Sequence, residues 1–169
     1  NNQIKAMVRT SANQVANAAS QAVYTQNQDI SSKYRYIATL DSRTSAICRA
    51  LDGQEFEYGK GPTPPQHFNC RSTTVPLIDY ERLGIPPPKP GKRRSRDGLV
   101  PANQSYGQWL HNQSKETKAD VLGPEKVPYF NRLARKYGPT NAIRRFVSED
   151  GTELTLEQLR RRYPHDASS

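Results

Sequence analysis

The sequence predicts an α+β protein in which a small sheet lies between helical segments. Residues 4–27 place apolar side chains at three- and four-residue spacing, which is typical of a helix. Residues 34–77 contain short runs of aromatic and β-branched residues separated by turn residues, which predict strands. Residues 104–169 return to helical spacing. We therefore expect an N-terminal helix, a small sheet with a short helix, and a mainly helical C-terminal part with a hairpin.

Composition and charge narrow the classes of function. Only 34% of the 169 residues are hydrophobic and the mean hydropathy is -0.90. We therefore expect a small hydrophobic core that needs further stabilisation, such as a bound metal or a partner subunit. The net charge of +9 favours association with polyanions, above all nucleic acid. No apolar run approaches the ~20 residues of a membrane span. The chain begins with Asn1 rather than Met, so we expect a fragment or a processed product.

The predicted N-terminal helix carries a narrow apolar stripe, and its other face is rich in Asn, Gln, Ser and Arg. The stripe consists of Ile4, Val8, Val15, Ala19, Ala22 and Val23. One interpretation is an ordinary amphipathic helix that covers a sheet with this stripe, and the other is a docking helix for an assembly. The periodicity is the usual signature of a core-facing helix, which favours the first interpretation.

Four short elements are predicted between residues 34 and 78. They are a strand at 34–40, a short helix at 44–51, a strand at 54–58, and a third strand at 71–77 closed by Pro76. The dipeptide Asp52-Gly53 marks a turn between the helix and the second strand. A Pro-rich loop over 59–69 separates the last two strands.

Both cysteines of the chain lie in this region. Cys48 falls in the short helix, whereas His67 and Cys70 lie three positions apart at the end of the loop that Pro62, Pro64 and Pro65 stiffen. Thiolate and imidazole groups held at short spacing on a rigid loop are what a zinc site needs, because zinc binds these ligands in a tetrahedron. We therefore predict a zinc site, with Asp41 or a water as the fourth ligand.

Two other interpretations of the cysteines remain open. Cys48 can be a buried residue on the inner face of a short helix while Cys70 is an incidental free thiol. Alternatively, the two cysteines form a disulfide, although a pair with a nearby His and Asp suits a metal in a reducing compartment better.

Residues 79–103 differ in character from both neighbours. The run from Ile85 to Gly91 contains four prolines and favours an extended, polyproline-like form. A basic cluster follows, made of Lys92, Arg93, Arg94 and Arg96. We interpret 79–103 as a basic linker between a module at 1–78 and a helical region at 104–169. Its charges either contact nucleic acid or an acidic partner, or keep a solvated tether extended.

The C-terminal region combines helical spacing with start and stop signals. Helices are predicted at 105–122, 125–137 and 156–163, and capping boxes are expected for Ser105 with Gln108 and for Thr155 with Gln158. Asp150-Gly151 predicts a hairpin. The run Arg160, Arg161 and Arg162 forms a second basic cluster that we predict to contact nucleic acid or an acidic partner.

Several of these residues together resemble the phage Mu protein F-like family of minor head, or head morphogenesis, proteins. The similarity over residues 34–71 lies in Thr44-Ser45, Cys48, Leu51-Asp52-Gly53, Phe56, Pro64-Pro65, His67 and Asn69-Cys70-Arg71. Further similarity lies in Tyr106–Leu110, Val121–Pro124, Phe130, Phe146-Val147, Gly151, Leu154–Leu156 and Leu159-Arg160. The resemblance covers residues 34–162, and this chain has only one helix where family members usually have a longer N-terminal region.

The resemblance implies a minor capsid component of a tailed phage or prophage, located inside the head or at the portal vertex after assembly in the host cytoplasm. Its implied partners are the portal and other head proteins, and it is expected to take part in DNA packaging or ejection. By this resemblance, the metal-ligand pattern of the family corresponds to Asp41, Cys48, His67 and Cys70 in this chain. Duplex DNA, contacted without sequence preference, is a further expected partner, and no membrane partner is expected.

An enzymatic function is the alternative. A metal-dependent nuclease or a toxin-associated domain would use the same metal, but it would also need an open coordination position and a general base. No acidic cluster plainly supplies that base, so the sequence favours a structural protein over an enzyme. A nucleophilic Cys48 activated by His67 is a further, weaker possibility.

Overall fold

The computed structural model describes residues 2–164, and these residues adopt an α+β fold, as predicted. In chain order the elements are α1 (Asn2–Gln26), β1 (Lys33–Ile37), α2 (Ala46–Leu51), β2 (Glu55–Glu57), β3 (Thr73–Leu77), β4 (Lys92–Ser95), β5 (Gly98–Pro101), α3 (Tyr106–His111), α4 (Lys115–Leu122), α5 (Val127–Tyr137), α6 (Pro139–Arg144) and α7 (Leu156–Arg162). A short 3₁₀ turn at Pro124–Lys126 precedes α5.

The main sheet has three antiparallel strands in the order β2-β1-β3. Tyr34 of the central strand lies opposite Phe56 on one side and Pro76 on the other. Tyr34 and Tyr36 are fully buried, as the alternation of the strand requires. Pro76 lies inside β3 rather than closing it, because β3 is an edge strand, where a proline does not interrupt a hydrogen-bonded ladder on both sides.

Helix α1 packs against β3, but not with the face that the sequence predicted. The residues turned toward the sheet are polar, among them Thr10, Asn13 and Asn17, whereas Val8 and Val15 are exposed. The expectation that the apolar stripe covers the sheet is therefore wrong. Hydrogen bonds from the polar face, rather than apolar burial, attach this helix to the sheet.

The predicted linker is only partly extended. Residues 81–90 are exposed, but β4 and β5 form an antiparallel hairpin directly after them. The hairpin contacts the strand region, because the Arg96 amide donates to the Leu40 carbonyl oxygen and Leu40 forms a parallel bridge with Ser95. The prediction of a continuous tether over 79–103 is therefore wrong where residues 92–101 form the hairpin. The division of the chain into domains at 1–78 and 104–169 stays a prediction.

The larger core lies in the C-terminal part, where the helices pack around Trp109, Phe130 and Phe146. Both predicted capping boxes are present, at the starts of α3 and α7. The helix predicted at 105–122 is instead two helices, since the Ser114 side chain accepts a hydrogen bond from the Thr117 amide and starts α4. The predicted hairpin at Asp150-Gly151 is reduced to a single bridge, which joins Val147 and Glu153.

Close helix packing in this part depends on one glycine. A Cβ atom added at Gly107 in α3 would lie 2.2 Å from the carbonyl oxygen of Pro139, the first residue of α6. The two helices therefore approach each other through backbone contact.

Among residues 2–164, no helix has both the length and the apolar character needed to cross a bilayer.

Candidate metal centre

The structure brings Cys48, His67 and Cys70 together beside the main sheet. Cys48 Sγ lies 3.3 Å from His67 Nε2 and 3.8 Å from Cys70 Sγ, and the three ligand atoms all lie within 4.8 Å of one another. Cys48 is in the first turn of α2, where its amide faces the Oγ of the N-cap residue Ser45. His67 and Cys70 come from the Pro-rich loop, and the Cys70 amide donates to the His67 carbonyl oxygen.

These distances fit a tetrahedral zinc shell. With Zn–S and Zn–N bonds of about 2.3 and 2.0 Å, neighbouring ligand atoms stand roughly 3.5–3.8 Å apart. The Cys48–Cys70 sulfur separation matches this edge, and the Cys48–His67 separation is slightly shorter. Both cysteines are free thiols, so the structure does not contain the disulfide that the sequence left open.

The His67 ring is oriented for metal binding by its own loop. Its Nδ1 atom lies 2.8 Å from the Phe68 carbonyl oxygen, and with the proton on Nδ1 the lone pair of Nε2 faces Cys48. Metal-binding histidines usually donate their second N–H to a carbonyl or carboxylate in this way, which fixes the tautomer. The donor set and the surrounding hydrogen bonds therefore both fit zinc.

The two thiols differ in their tendency to ionise. The hydrogen bond between them lowers the pKa of the Cys70 thiol and raises the pKa of the Cys48 thiol, which burial raises further. Burial also raises the pKa of Tyr36, whose hydroxyl lies 3.3 Å from Cys48 Sγ. A negative charge at this site consequently resides first on Cys70.

Asp41, the predicted fourth ligand, is not a member of this group. Its carboxylate binds the Arg71 guanidinium through both oxygens, with Arg71 Nη2 donating to Oδ1 at 2.8 Å. Burial raises the pKa of Asp41, but the hydrogen bonds and charge of Arg71 outweigh burial, and the net pKa lies below the ordinary value. Asp41 therefore orients Arg71, the residue that follows Cys70.

A small cavity next to the group leaves room for a different fourth ligand. Ser45, Cys48, His67 and Ser72 contribute to its lining, and its volume is about 10 Å³. This volume is close to what one water molecule needs. The alternative of a water as the fourth ligand therefore fits the structure better than Asp41 does.

The basic residues predicted to contact nucleic acid or an acidic partner differ in their exposure to solvent. Arg93 is not a surface residue, because its guanidinium binds both carboxylate oxygens of the buried Asp52. The exposed members are Lys92, Arg94, Arg96, Arg160, Arg161 and Arg162. Of these, Arg161 pairs with Glu157 one turn earlier in α7.

Two residues that anchor the centre were missed in the sequence. Asp52 was interpreted only as part of a turn, yet its side chain accepts hydrogen bonds from the Ala38 and Tyr106 amides. Arg49, next to Cys48, donates to the Val121 carbonyl oxygen and pairs with Glu153. The sequence held one signal for Arg49, which is a charged residue within an otherwise apolar short helix. A charged residue buried in such a helix needs a partner.

Comparison with known proteins bears on the segment that contains this centre. Residues 1–75 match the family model described as Phage Mu protein F like protein. The predicted resemblance to this family is confirmed for the chain up to residue 75, and for residues 76–162 it stays a prediction. A stretch of 51 residues is also 39% identical to an uncharacterized protein of Haemophilus influenzae (strain ATCC 51907 / DSM 11121 / KW20 / Rd). That match covers 28% of this chain and 11% of the relative.

No solved structure matches the chain significantly. The phage Mu F-like match includes α1, the main sheet up to Val75, and all three candidate metal ligands.

Proposed function

We propose that this chain is a minor capsid protein of a tailed phage or prophage, in which zinc stabilises the module around Cys48, His67 and Cys70. It acts near the portal during head assembly and takes part in DNA packaging or ejection. The observation that carries the proposal is the convergence of three soft ligands within the segment that matches a phage Mu F-like family.

Zinc has a structural role in this proposal. The thin sheet core around the site contains Tyr36, Ala38, Cys48 and Cys70, which is little apolar area for a stable module. A bound zinc ion would supply cross-links between α2 and the Pro-rich loop, two segments that are distant in sequence. Cys48, His67 and Cys70 hold it, and a water in the adjacent cavity completes the tetrahedron.

The basic surface makes DNA a suitable partner in a filled phage head. Lys92, Arg94 and Arg96 are exposed on and beside the β4–β5 hairpin, and Arg160–Arg162 are exposed on α7. Side chains of this kind contact phosphates rather than base edges, so binding is expected to be independent of sequence. Arg93 is not among the contacts, because Asp52 holds it.

The assembly role is tested in a phage or prophage that encodes the chain. Cys70→Ser should yield heads that lack the protein or fail to package DNA, whereas the control His111→Ala, an exposed histidine distant from the ligands in sequence, should assemble normally. Infectious particles formed at normal yield when the gene is deleted would refute a role in head assembly. Mass spectrometry of purified heads measures incorporation, and electron microscopy measures filling.

The DNA contact has a separate test in vitro. Neutralising about five phosphates gives a log–log salt slope near roughly -4 to -5 on duplex DNA. Substitution of Lys92, Arg94 and Arg96 by Ser should flatten this slope and weaken binding equally on unrelated sequences. Sequence-selective binding, or a slope that the substitutions leave unchanged, would contradict this contact without bearing on the assembly role.

A further inference from the structure

A cavity of about 250 Å³ lies where the main sheet, the β4–β5 hairpin, α3 and α6 meet. The charged side chains in its wall are Arg35, Glu55, Arg93 and Arg144. The three ligands of the candidate metal centre are not among its lining residues, so the cavity is separate from that site. The exposed basic residues proposed to contact DNA do not line it either.

Two of the three arginines in this wall are paired with acidic residues. Arg35 Nη2 lies 2.6 Å from Glu55 Oε1, and Arg93 binds both oxygens of the Asp52 carboxylate. Asp52 also accepts two backbone amides, so its oxygens already take part in four hydrogen bonds. Three guanidinium groups thus face two carboxylates, and the surplus positive charge belongs to Arg144.

Arg144 differs from the other arginines whose Nε atom is buried without a hydrogen-bond partner, which are Arg49, Arg132 and Arg145. Arg49 pairs with an acidic side chain, and Arg132 and Arg145 lie over tyrosine rings. Within residues 2–164, the Arg144 guanidinium has no hydrogen bond, ion pair or ring contact of this kind. Burial lowers the pKa of Arg144, and the charge of Asp52 offsets this only in part.

The chemistry of this wall favours a singly charged anion. Removing a guanidinium from water costs free energy that a counter-ion normally offsets, and its planar donors match a carboxylate or a phosphate. One surplus positive charge balances one carboxylate, whereas a doubly charged phosphate would add excess negative charge beside Glu55. The cavity is smaller than the ~300–1,000 Å³ of most ligand sites, so the group that enters it is small.

Amide side chains in the same wall offer further hydrogen bonds. Asn103 and Gln104 make no side-chain hydrogen bond within the described part of the chain, and Gln108 uses its Oε1 atom, which accepts from the Ser105 amide. These three residues also line an adjoining cavity of about 340 Å³, which His111 borders. A ligand whose charged group reaches Arg144 can therefore extend along free amide groups.

We propose that this cavity binds a carboxylate group, with the Arg144 guanidinium as its ionic partner and the side-chain amides of Gln104 and Gln108 as hydrogen-bonding groups for the same ligand. The carboxylate belongs either to a small molecule or to an acidic side chain of a peptide, because the two share this chemistry. The inference depends neither on zinc nor on the role in the phage head.

NMR titration of the full chain tests the proposal with three probes. Acetate is the free carboxylate, N-acetylglutamate N-methylamide carries a carboxylate beside peptide groups, and the corresponding glutamine compound is the uncharged control. Both carboxylates should shift the Arg144 Nε–H resonance and saturate with a Kd on the order of 1 mM, whereas the glutamine compound should not. Tighter binding of the peptide-like compound supports a peptide source, and equal binding supports a free carboxylate.

A matched pair of variants separates binding from a structural role. Arg144→Gln should weaken the binding of both carboxylates at least tenfold, because it removes the charge that faces them. Arg135→Gln is the control, since Arg135 is exposed on α5 and does not line the cavity, and it should bind normally. Without ligand, Arg144→Gln should melt at the same temperature as the unmodified chain or higher, because it removes a partly buried charge without a direct partner.

Three results would overturn the proposal. They are an Arg144 resonance that does not move up to about 50 mM of either carboxylate, equal binding of the glutamine compound, and tighter binding of inorganic phosphate or duplex DNA at this resonance. A lower melting temperature of Arg144→Gln would also contradict it, because Arg144 would then support the fold. The resonance is observed in the unmodified chain, so the titration decides even when the variant does not fold.

Discussion

The buried Asp52 and the largely buried Arg93 form an ion pair that joins parts of the chain 41 residues apart. Arg93 Nη2 donates to Asp52 Oδ1 at 3.0 Å and Nη1 donates to Oδ2 at 3.1 Å. The same carboxylate accepts the Ala38 and Tyr106 amides, each at 2.7 Å. One side chain therefore connects the strand region, the β4–β5 hairpin and the start of α3.

Arg93→Met should destabilise the protein by about 3–5 kcal/mol, because it leaves the Asp52 charge buried without its cationic partner. Arg94→Met is the matched control, since Arg94 is the next residue of β4 and is exposed. That variant should change the free energy of unfolding by less than about 0.5 kcal/mol. Urea unfolding at pH 7 measures both. Equal stability of the two variants would mean that the buried pair does not hold the hairpin in place.

Purified protein should contain about one zinc per chain, and Cys70→Ser or His67→Ala should remove it. A structural zinc contributes on the order of 10 kcal/mol to the folding of a small module, so chelation should lower the melting temperature steeply. Elemental analysis and thermal melts with and without a chelator provide the measurements. His111→Ala should retain zinc, and metal-free protein with an unchanged melt would rule out a stabilising metal.

Asp41 should make stability depend on pH through its pair with Arg71. The pKa of Asp41 is lowered in the folded protein, so the folded state binds fewer protons than the unfolded state over this range. The contribution is present above the unfolded pKa of about 3.9 and is lost as the pH falls through the folded pKa. Unfolding free energy should therefore decrease below about pH 4 in the unmodified protein.

Asp41→Asn should lower stability at pH 7, and the difference between the two proteins should shrink as the pH falls below about 4. Taking this difference at each pH cancels effects that the two proteins share, such as metal release. Arg71→Met, which removes the other partner, should show the same trend. A difference that stays constant from pH 7 to 3 would show that the ion pair does not contribute.

Gly107→Ala should destabilise the C-terminal core by about 1–3 kcal/mol, because the added methyl group overpacks the contact between α3 and α6. Gly91→Ala serves as the control, since a Cβ atom at Gly91 meets nothing within 4 Å. Thermal unfolding of both variants provides the comparison. A Gly107→Ala variant as stable as the control would indicate that the two helices can separate at no cost.

Local signals predicted the helices and strands with short-range causes. Ser105 with Gln108 and Thr155 with Gln158 start helices because each capping box is made within four consecutive residues. The metal group was also predictable in part, since His67 and Cys70 are held by one loop and their chemistry is particular to metal sites. That Asp41 lies outside this group was not predictable, because Arg71, the cation that binds its carboxylate most closely, is thirty residues away in the chain.

By itself, the sequence determined the α+β class, the three soft ligands and the apolar stripe of α1, because these depend on residue type and spacing. Only the tertiary structure decided where the stripe points, since hydrogen bonds from Asn13 and Gln21 to β3 and the residue before it outweigh the usual burial of apolar side chains. It likewise decided that Arg93 turns inward to pair with the buried Asp52 while Arg94 faces solvent. Adjacent residues on a strand point to opposite sides, and which side is buried depends on what the rest of the chain places against it.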